Sequence, residues 1–327
     1  MKSKFLIVFL VLSFRFSAIS CVCNITALSS VDAITVNKEG VTEKHYGVNF
    51  NLMDGYRAIY VTKANVNQLC EGIVKFFNKL EELNLIGINI SSIEKFAFQH
   101  VPKLTKLSLA VNNLTEFKSG YVNEIKTLKV LYLTSNLLRT IDDDAFNNMI
   151  HLKRIYLNRN ELTNINGAWF RNCSKLELID LSHNKITRIP SGAFQNLRPT
   201  SYDHFVQYKL GFNQISSISP EALDTNKEFL ILRLDSNRLM ALSLPVFKNI
   251  MRVNSLVLNS NYIACMEDDI LKELKTSAMS LHLVNNPLQC DCMDKFDKFL
   301  IDNSIQATFY YNTTFNCQLL KQIPIFS

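Results

Sequence analysis

One pattern of residues recurs every 24 positions through the middle of this chain. It reads LTKLSLAVNNL from Leu104, LKVLYLTSNLL from Leu128, LKRIYLNRNEL from Leu152 and LELIDLSHNKI from Leu176. The same frame extends outward, so that ten units begin at residues 56, 80, 104, 128, 152, 176, 205, 229, 253 and 278. A fixed period of this length predicts a solenoid, in which each unit buries its apolar face against its neighbours.

Each unit divides into a strand and a returning segment. Apolar residues alternate at positions 4 and 6 of the unit, which predicts a short strand with one buried face, and stacking predicts a curved parallel sheet. Apolar residues also recur at position 14, from Ile93 to Leu242. Phenylalanines recur at position 19, as Phe98, Phe146, Phe170, Phe194 and Phe247. These two columns predict the core beneath the convex side.

Asparagine recurs at position 9, where the chain leaves the strand. Eight units carry it, as Asn112, Asn136, Asn160, Asn184, Asn213, Asn237, Asn261 and Asn286. A buried amide there can hydrogen-bond backbone groups of the turn, and stacking makes these bonds continuous. Ala64 and Ile88 occupy the position in the first two units, so the ladder is predicted to begin at the third.

The motif resembles the leucine-rich-repeat family, and specifically the 24-residue kind of animal extracellular proteins. It is similar to the secreted leucine-rich immune proteins of insects and to the ectodomains of Toll-type receptors. The resemblance covers residues 56–288 and implies an α/β repeat solenoid of about ten repeats, with a curved parallel sheet and a cap at each end. The chain lacks the C-terminal coiled coil of the longer insect members, which puts their style of dimerisation in doubt.

The ends of the array are predicted to be covered by caps, because a solenoid otherwise leaves an apolar face bare. For residues 21–55, two alternating segments, Val31 to Val36 and Tyr46 to Leu52, flank the turn-like Asn37 to Gly40 and predict a hairpin. Residues 289–327 are expected to form a truncated cysteine-rich cap, since NPLQCDC resembles the opening of the family's C-terminal cap. One face of a short helix is expected there, formed by Met293, Phe296, Phe299 and Leu300.

Eight cysteines are compatible with a secretory route. At the N-terminal end, Cys21, Cys23 and Cys70 are expected to supply one disulfide, with Cys23 and Cys70 as its members. One of Cys21 and Cys23 is left over, and that cysteine is free or bridges to a partner chain. Cys173 lies at an apolar position and is predicted to be a buried free thiol.

Two pairings are open for the four cysteines at the C-terminal end, Cys265, Cys290, Cys292 and Cys317. The family resemblance implies a Cys290–Cys317 bridge. The stacking of Cys265 beside Cys290 at equivalent repeat positions equally allows Cys265–Cys290 together with Cys292–Cys317.

Residues 1–20 are predicted to be a cleaved signal peptide, with Lys2 and Lys4 before an apolar run. A membrane anchor is the alternative, but Arg15 ends the run well short of the roughly twenty apolar residues that a span needs. No later segment is long enough to span a membrane, so a secreted extracellular protein is expected. Five glycosylation sequons agree with this, at Asn24, Asn89, Asn113, Asn172 and Asn312.

Composition and motifs exclude several functions. The chain has 35 basic and 29 acidic residues, and cleavage would remove three basic ones, which leaves a net charge of +3. Nucleic-acid binding normally requires a concentrated basic stripe, so no nucleic-acid partner is expected. The chain has no zinc-protease motif, nucleophile elbow or glycine-rich phosphate loop. We therefore expect neither an enzyme nor a cofactor.

The candidate binding surface lies at the centre of the predicted concave sheet. Aromatic and arginine side chains are enriched at interaction hot spots, and both cluster around the fourth and fifth units. The candidate residues are Lys129, Tyr132, Arg154, Tyr156, Arg159, Asp180, Lys209 and Arg233. The alternative is an ordinary solvated sheet face with tyrosines packed across strands.

One step of the array is longer than the others. Units 176 and 205 are 29 residues apart, and the extra five fall near Arg198 to His204. This segment is predicted to be either a tolerated surface insertion or a loop that contacts a partner.

Two functions fit this sequence. The first is a secreted recognition protein of innate immunity, with an extracellular protein or a microbial surface as its ligand. The second is a matrix, adhesion or developmental ligand-binding protein.

Overall fold

A computed structural model describes residues 28, 30–194, 197, 206–223, 230–242, 246, 253–266, 270, 280–303 and 306–308. Several predictions fall outside these residues: the signal peptide, Cys21, Cys23, Asn24, Phe247, the 198–204 segment, Asn312 and Cys317.

The described residues form strands for the most part. The strands are β1 (Val31–Val36), β2 (Thr42–Val48), β3 (Ala58–Lys63), β4 (Gln68–Leu69), β5 (Val74–Lys75), β6 (Glu82–Asn84), β7 (Ser92–Ile93), β8 (Phe98–Gln99), β9 (Lys106–Ser108), β10 (Glu116–Phe117), β11 (Val130–Tyr132), β12 (Thr140–Ile141), β13 (Arg154–Tyr156), β14 (Leu178–Asp180), β15 (Arg188–Ile189), β16 (Val206–Lys209), β17 (Ser217–Ile218), β18 (Leu230–Arg233), β19 (Val253–Val257), β20 (Ser280–His282) and β21 (Gln306–Thr308). Short 3-10 helices span Phe50–Met53 and Gly167–Phe170, and the α-helix α1 spans Cys290–Asn303.

A 13-stranded sheet runs along the array in the order β2-β1-β3-β6-β9-β11-β13-β14-β16-β18-β19-β20-β21. One strand lies in each of the ten predicted units, and these ten are parallel to one another. Equivalent residues pair in register, as Leu107, Leu131 and Ile155 do. All three are fully buried, which confirms the predicted inward face. The solenoid prediction is therefore confirmed, and β21 adds an eleventh parallel strand from the C-terminal cap.

The convex side of the described repeats consists mainly of two-residue parallel bridges and turns. Bridges pair Phe117 with Ile141 and Ile189 with Ile218. The described members of the phenylalanine column, Phe98, Phe146, Phe170 and Phe194, are buried as predicted. The rings of Phe146 and Phe170 stack with their centroids 6.1 Å apart. Because these segments are extended, helix is limited to a small part of the described fold.

The asparagine ladder begins at the third unit, as predicted. The side-chain Nδ2 of Asn160 donates to the carbonyl oxygens of Leu133 and Leu157 at 2.9 and 3.0 Å, and its Oδ1 accepts from the Leu138 backbone N–H at 3.0 Å. Asn136 and Asn184 make the same set of bonds with their own neighbours. Each amide thus joins its own turn to that of the preceding repeat.

The N-terminal hairpin forms, but the prediction for its second strand was wrong. This strand is Thr42–Val48 rather than Tyr46 to Leu52, because the Asn37 side chain closes the turn by accepting from the backbone N–H groups of Glu39 and Val41. The chain then makes a 3-10 turn in which Phe50 and Met53, three residues apart, are both buried. Leu52 faces outward with 79% of its surface exposed.

The C-terminal cap is joined to the last repeats by a disulfide between Cys265 and Cys292. This bond excludes the Cys265–Cys290 pairing. Helix α1 begins at Cys290, and Cys292 in its first turn is buried against the array, so Cys292 is the cysteine that faces Cys265. Of the predicted apolar helix face, Phe299 packs against the core. The Cys290–Cys317 bridge stays a prediction.

Two further cysteines have described environments. Cys70 is disulfide-bonded, and its pairing with Cys23 stays a prediction. Cys173 is a buried free thiol, as predicted. Burial raises the pKa of this thiol to about 12, so it is neutral at physiological pH.

Candidate ligand-binding surface

The side chain at position 5 of each repeat projects from a concave strand, between the two inward residues at positions 4 and 6. Parallel pairing in register aligns these side chains in a row across the sheet, about 4.8 Å apart. In the centre, Tyr132 pairs with Tyr156, Tyr156 with Asp180, Asp180 with Lys209, and Lys209 with Arg233. The structure therefore brings five of the eight predicted site residues into one row, which we call the central row.

The first part of the central row is aromatic. The rings of Tyr132 and Tyr156 are stacked, with centroids 4.6 Å apart and planes within 5° of parallel. Burial raises the pKa of Tyr156, and the neighbouring Tyr132 adds to this effect, so the phenol is neutral and able to donate a hydrogen bond. Arg154 lies on the same strand as Tyr156, two residues before it, and is exposed. Together these residues form a flat aromatic floor with a cation beside it.

Lys106 lies beside Tyr132, on the neighbouring strand toward the first repeats. Its Nζ lies 5.8 Å from the centre of the Tyr132 ring and 2.8 Å from a carboxylate oxygen of Glu82. The hydrogen bond to Glu82 raises the pKa of Lys106, so this side chain is a cation. Neither Lys106 nor Glu82 was among the residues predicted from the sequence.

The second part of the central row is charged. The Asp180 carboxylate is buried and accepts from the Ser182 hydroxyl at 2.6 Å, while its other oxygen lies 4.0 Å from Lys209 Nζ. Arg233 Nε donates to Asp235 at 3.2 Å. Because Asp180 is buried and already bonded, the exposed parts of Lys209 and Arg233 are what a ligand would meet.

Two predicted residues lie elsewhere. Lys129 precedes β11 and lines a groove at the edge of the sheet with Thr105 and His151. Arg159 occupies position 8, on the turn that leaves the strand, where its φ is +58°. The sequence spacing placed both near Tyr132 and Tyr156, but the side chains belong to other columns of the repeat.

A second aromatic pair was missed by the sequence analysis. His183 and Phe212, both at position 8, are stacked with centroids 4.3 Å apart and planes within 6°. Phe212 is 50% exposed. The sequence contained a signal for this pair, because rings occur at the same position of two neighbouring repeats, shortly after β14 and shortly after β16. A second stacked pair therefore lies on the turns that follow the strands of the sixth and seventh repeats, beyond the Tyr132–Tyr156 pair of the fourth and fifth.

Three predicted glycosylation sites fall within the described residues. Asn89, Asn113 and Asn172 are all exposed, which a glycan requires. Asn89 Nδ2 donates to Asn65 and Asn172 Nδ2 donates to Asn148, both through side-chain oxygens. None of the three lies in the central row.

No group of three or more histidine, cysteine, aspartate or glutamate residues in the described part of the chain could hold a metal ion. None of the helices in the described part of the chain has the length and apolarity that crossing a membrane requires.

The stacked parallel strands, the asparagine ladder and the ring column define a leucine-rich-repeat solenoid. In agreement, a family model described as "Leucine rich repeat" matches residues 126–186 and 150–201. The fold resembles the ectodomains of Toll-type receptors. No curated protein sequence matches the chain.

Two solved structures illustrate this likeness. A crystal structure of a TLR13–ssRNA13 complex has a TM-score of 0.63 and 21% identity, over 74% of this chain and 34% of that one. The Toll–Spatzle complex, described as a molecular hub in Drosophila development and innate immunity, has a TM-score of 0.60 and 19% identity, over 79% of this chain and 33% of that one. This chain therefore spans about a third of either structure's chain. At these identities the likeness concerns the fold.

Proposed function

We propose that this protein is a secreted, non-enzymatic recognition protein of innate immunity, which binds an extracellular protein or a microbial surface through its concave sheet. The observation that carries the proposal is the stacked Tyr132–Tyr156 pair with Arg154 beside it and Lys209 and Arg233 further along the row. Tyrosine side chains on a rigid sheet contribute contact area with little loss of side-chain entropy on binding, and arginine adds several hydrogen-bond donors.

Support for the extracellular part comes from the Cys265–Cys292 disulfide, since such bonds persist in oxidising compartments. Support for ligand binding comes from the likeness to Toll-type ectodomains, of which one is described in complex with ssRNA and another with Spatzle. The Drosophila complex is assigned to both development and innate immunity, so a developmental, matrix or adhesion ligand is the second candidate.

The surface can be tested by replacing Tyr132, Arg154 and Tyr156 together with alanine. We expect partner capture from native extracellular fluid, followed by mass spectrometry, to fall about 100-fold, because these side chains form the centre of the contact. The free energy of unfolding, measured by thermal denaturation, should change by no more than about 1 kcal/mol, since the stacked pair is only half-buried.

A matched control replaces Tyr46, Arg188 and Tyr262, which are exposed outside the central row. This variant should capture the same partners as the unaltered protein. Equal capture by both triple variants would place the binding surface elsewhere. Binding to intact microbial cells, or induction by infection, supports the immune function, whereas recovery of matrix or receptor proteins alone supports the second candidate.

A further inference from the structure

A groove lies at the edge of the sheet where the strands begin, away from the central row. It is formed by position 24 of one repeat and position 2 of the next, over the second to fourth repeats. Its volume is about 350 Å³, and its lining residues are Glu81, Lys103, Thr105, Thr127, Lys129 and His151. We call it the edge groove. The volume falls in the range of ordinary ligand sites.

The edge groove has an excess of positive charge. Lys103 and Lys129 are exposed, and neither has a carboxylate partner among the residues that the structure describes. The single carboxylate of the lining, Glu81, is held by Arg57 at 2.8 Å. Outside the groove, Lys79 and Lys175 continue the column of Lys103, and both are exposed. An anionic group is therefore the complementary ligand at the rim.

The floor of the edge groove has a different preference. The Thr127 hydroxyl donates to the Leu104 carbonyl at 2.7 Å, and the Thr105 hydroxyl donates to the Glu81 carbonyl at 3.2 Å. Because each hydroxyl proton is engaged with the backbone, each oxygen can only accept a bond from a ligand. The floor therefore suits a ligand that carries hydroxyl donors.

We infer that the edge groove is a second binding site, for a sulfated oligosaccharide. Such a chain supplies anionic groups for Lys103 and Lys129 at the two ends of the groove and hydroxyl donors for the threonines between them. Neighbouring positions of this column lie about 4.8 Å apart. It continues beyond the groove to Lys79 on one side and, after Thr127 and His151, to Lys175 on the other, so a linear chain can reach a further lysine in either direction. Binding here is independent of the central row.

The experiment measures the affinity of the full-length protein for a heparin octasaccharide by microscale thermophoresis. The test variant is Lys103→Gln/Lys129→Gln. The control is Lys44→Gln/Lys63→Gln, which removes the same charge from exposed lysines near the N-terminal hairpin. We expect the test variant to bind at least about tenfold more weakly and the control within about twofold, with affinity falling as salt increases. Thermal midpoints of both variants should match that of the unaltered protein, since the changes are on the surface.

An altered ligand and a threonine variant test which chemical groups the edge groove recognises. The same octasaccharide after desulfation should bind at least about tenfold more weakly, since it keeps its uronate carboxylates but no longer offers sulfates to Lys103 and Lys129. Thr105→Val should weaken octasaccharide binding about threefold, because one acceptor for a sugar hydroxyl is lost. Unchanged affinity of the test variant, equal losses in the control, or no binding of the octasaccharide would each overturn the inference. Tighter binding of a single-stranded oligonucleotide of equal charge would assign the groove to nucleic acid instead.

Discussion

The first two repeats and the repeats that follow them close the turn after the strand in different ways. From the third repeat onward, the asparagine at position 9 bonds the backbone of its own turn and that of the preceding turn. In the second repeat the position is Ile88, which is buried, and the backbone N–H of Val66 in the first repeat donates to the Ile88 carbonyl at 2.7 Å. The main chain therefore substitutes for the missing amide.

The second repeat keeps the benefit of the ladder without an asparagine of its own. Asn112 of the third repeat accepts from the N–H groups of both Ile88 and Ile90, at 3.1 and 3.0 Å, and donates to the Leu85 carbonyl at 2.8 Å. Each ladder residue thus serves the turn before it. The comparison teaches that the ladder can start late. An asparagine inside it cannot be omitted, because backbone groups in the turn of the preceding repeat would lose their hydrogen-bond partners.

The two regions also differ on the convex side, at position 21. Phe76 and His100 are stacked there with centroids 5.0 Å apart, whereas Asn172 donates to Asn148 at 2.8 Å in the fourth and fifth repeats. All four residues have positive φ, from 53° to 65°. Asparagine adopts this conformation with little strain, and phenylalanine does not. The first repeats therefore use a stacked pair where the later ones use a hydrogen bond.

The largest expected effect comes from Asn160→Ala in the middle of the ladder. It leaves the Leu138 N–H and the Leu133 and Leu157 carbonyls without their partner, at about 1 kcal/mol or more each, so the free energy of unfolding should fall by about 3 kcal/mol. Urea unfolding followed by the fluorescence of Trp169, the single tryptophan, reports on the same repeat. The exposed Asn164→Ala serves as the control and should change stability by less than about 0.5 kcal/mol. A loss below about 1 kcal/mol for Asn160→Ala would mean that the ladder is dispensable.

An intermediate effect is expected from Ile88→Asn, which places a ladder residue in the second repeat. The Val66 N–H is already bonded to the Ile88 carbonyl, so the new side-chain oxygen finds no donor while apolar burial is lost. We expect a loss of about 2 kcal/mol in urea unfolding followed by far-ultraviolet circular dichroism. Ile88→Val, which keeps the site apolar, should lose about 1 kcal/mol. Stabilisation by Ile88→Asn would show that the first repeats merely lack an asparagine that they could use.

The smallest effect is expected from Phe76→Asn/His100→Asn, which gives the first two repeats the residues of the later ones. Loss of the stack and relief of the positive φ oppose each other, so stability should change by less than about 1 kcal/mol, toward greater stability. Differential scanning calorimetry can detect such a change. A loss above about 2 kcal/mol would show that the stacked pair holds the first repeats together.

The repeat frame could be predicted because its signal recurs ten times, and errors in single residues cancel. The late start of the ladder followed from Ala64 and Ile88 alone. Both bounds of β2 were mispredicted, because Tyr46 to Leu52 alternates like a strand, whereas the burial of Phe50 and Met53 requires a helical turn. Alternation in a short segment does not show whether the fold will bury residues two apart, as in a strand, or three apart, as in a 3-10 turn.

The candidate site was predictable in part. Tyr132 and Tyr156 meet because a constant repeat length converts a spacing of 24 residues into a neighbouring strand. Lys129 was grouped with them by closeness in sequence, although position 2 lies before the strand and faces the edge groove. His183 and Phe212 were missed because the backbone at position 8 has a positive φ. The direction of a side chain on such a turn cannot be predicted from the alternation of a strand.

The hairpin at the start of the sheet has a consequence for assembly. Strand β1 is antiparallel to β3, and β2, at the outer edge of the sheet, is antiparallel to β1. These two reversals leave β2 parallel to the strands of the repeats, so strand direction alone does not keep the final repeat of another copy from pairing with it. The edge instead carries the exposed charged residues Glu43 and Lys44. Charges on an edge strand oppose pairing with another chain, so the hairpin acts as a terminator through its side chains and disfavours end-to-end polymerisation at that edge.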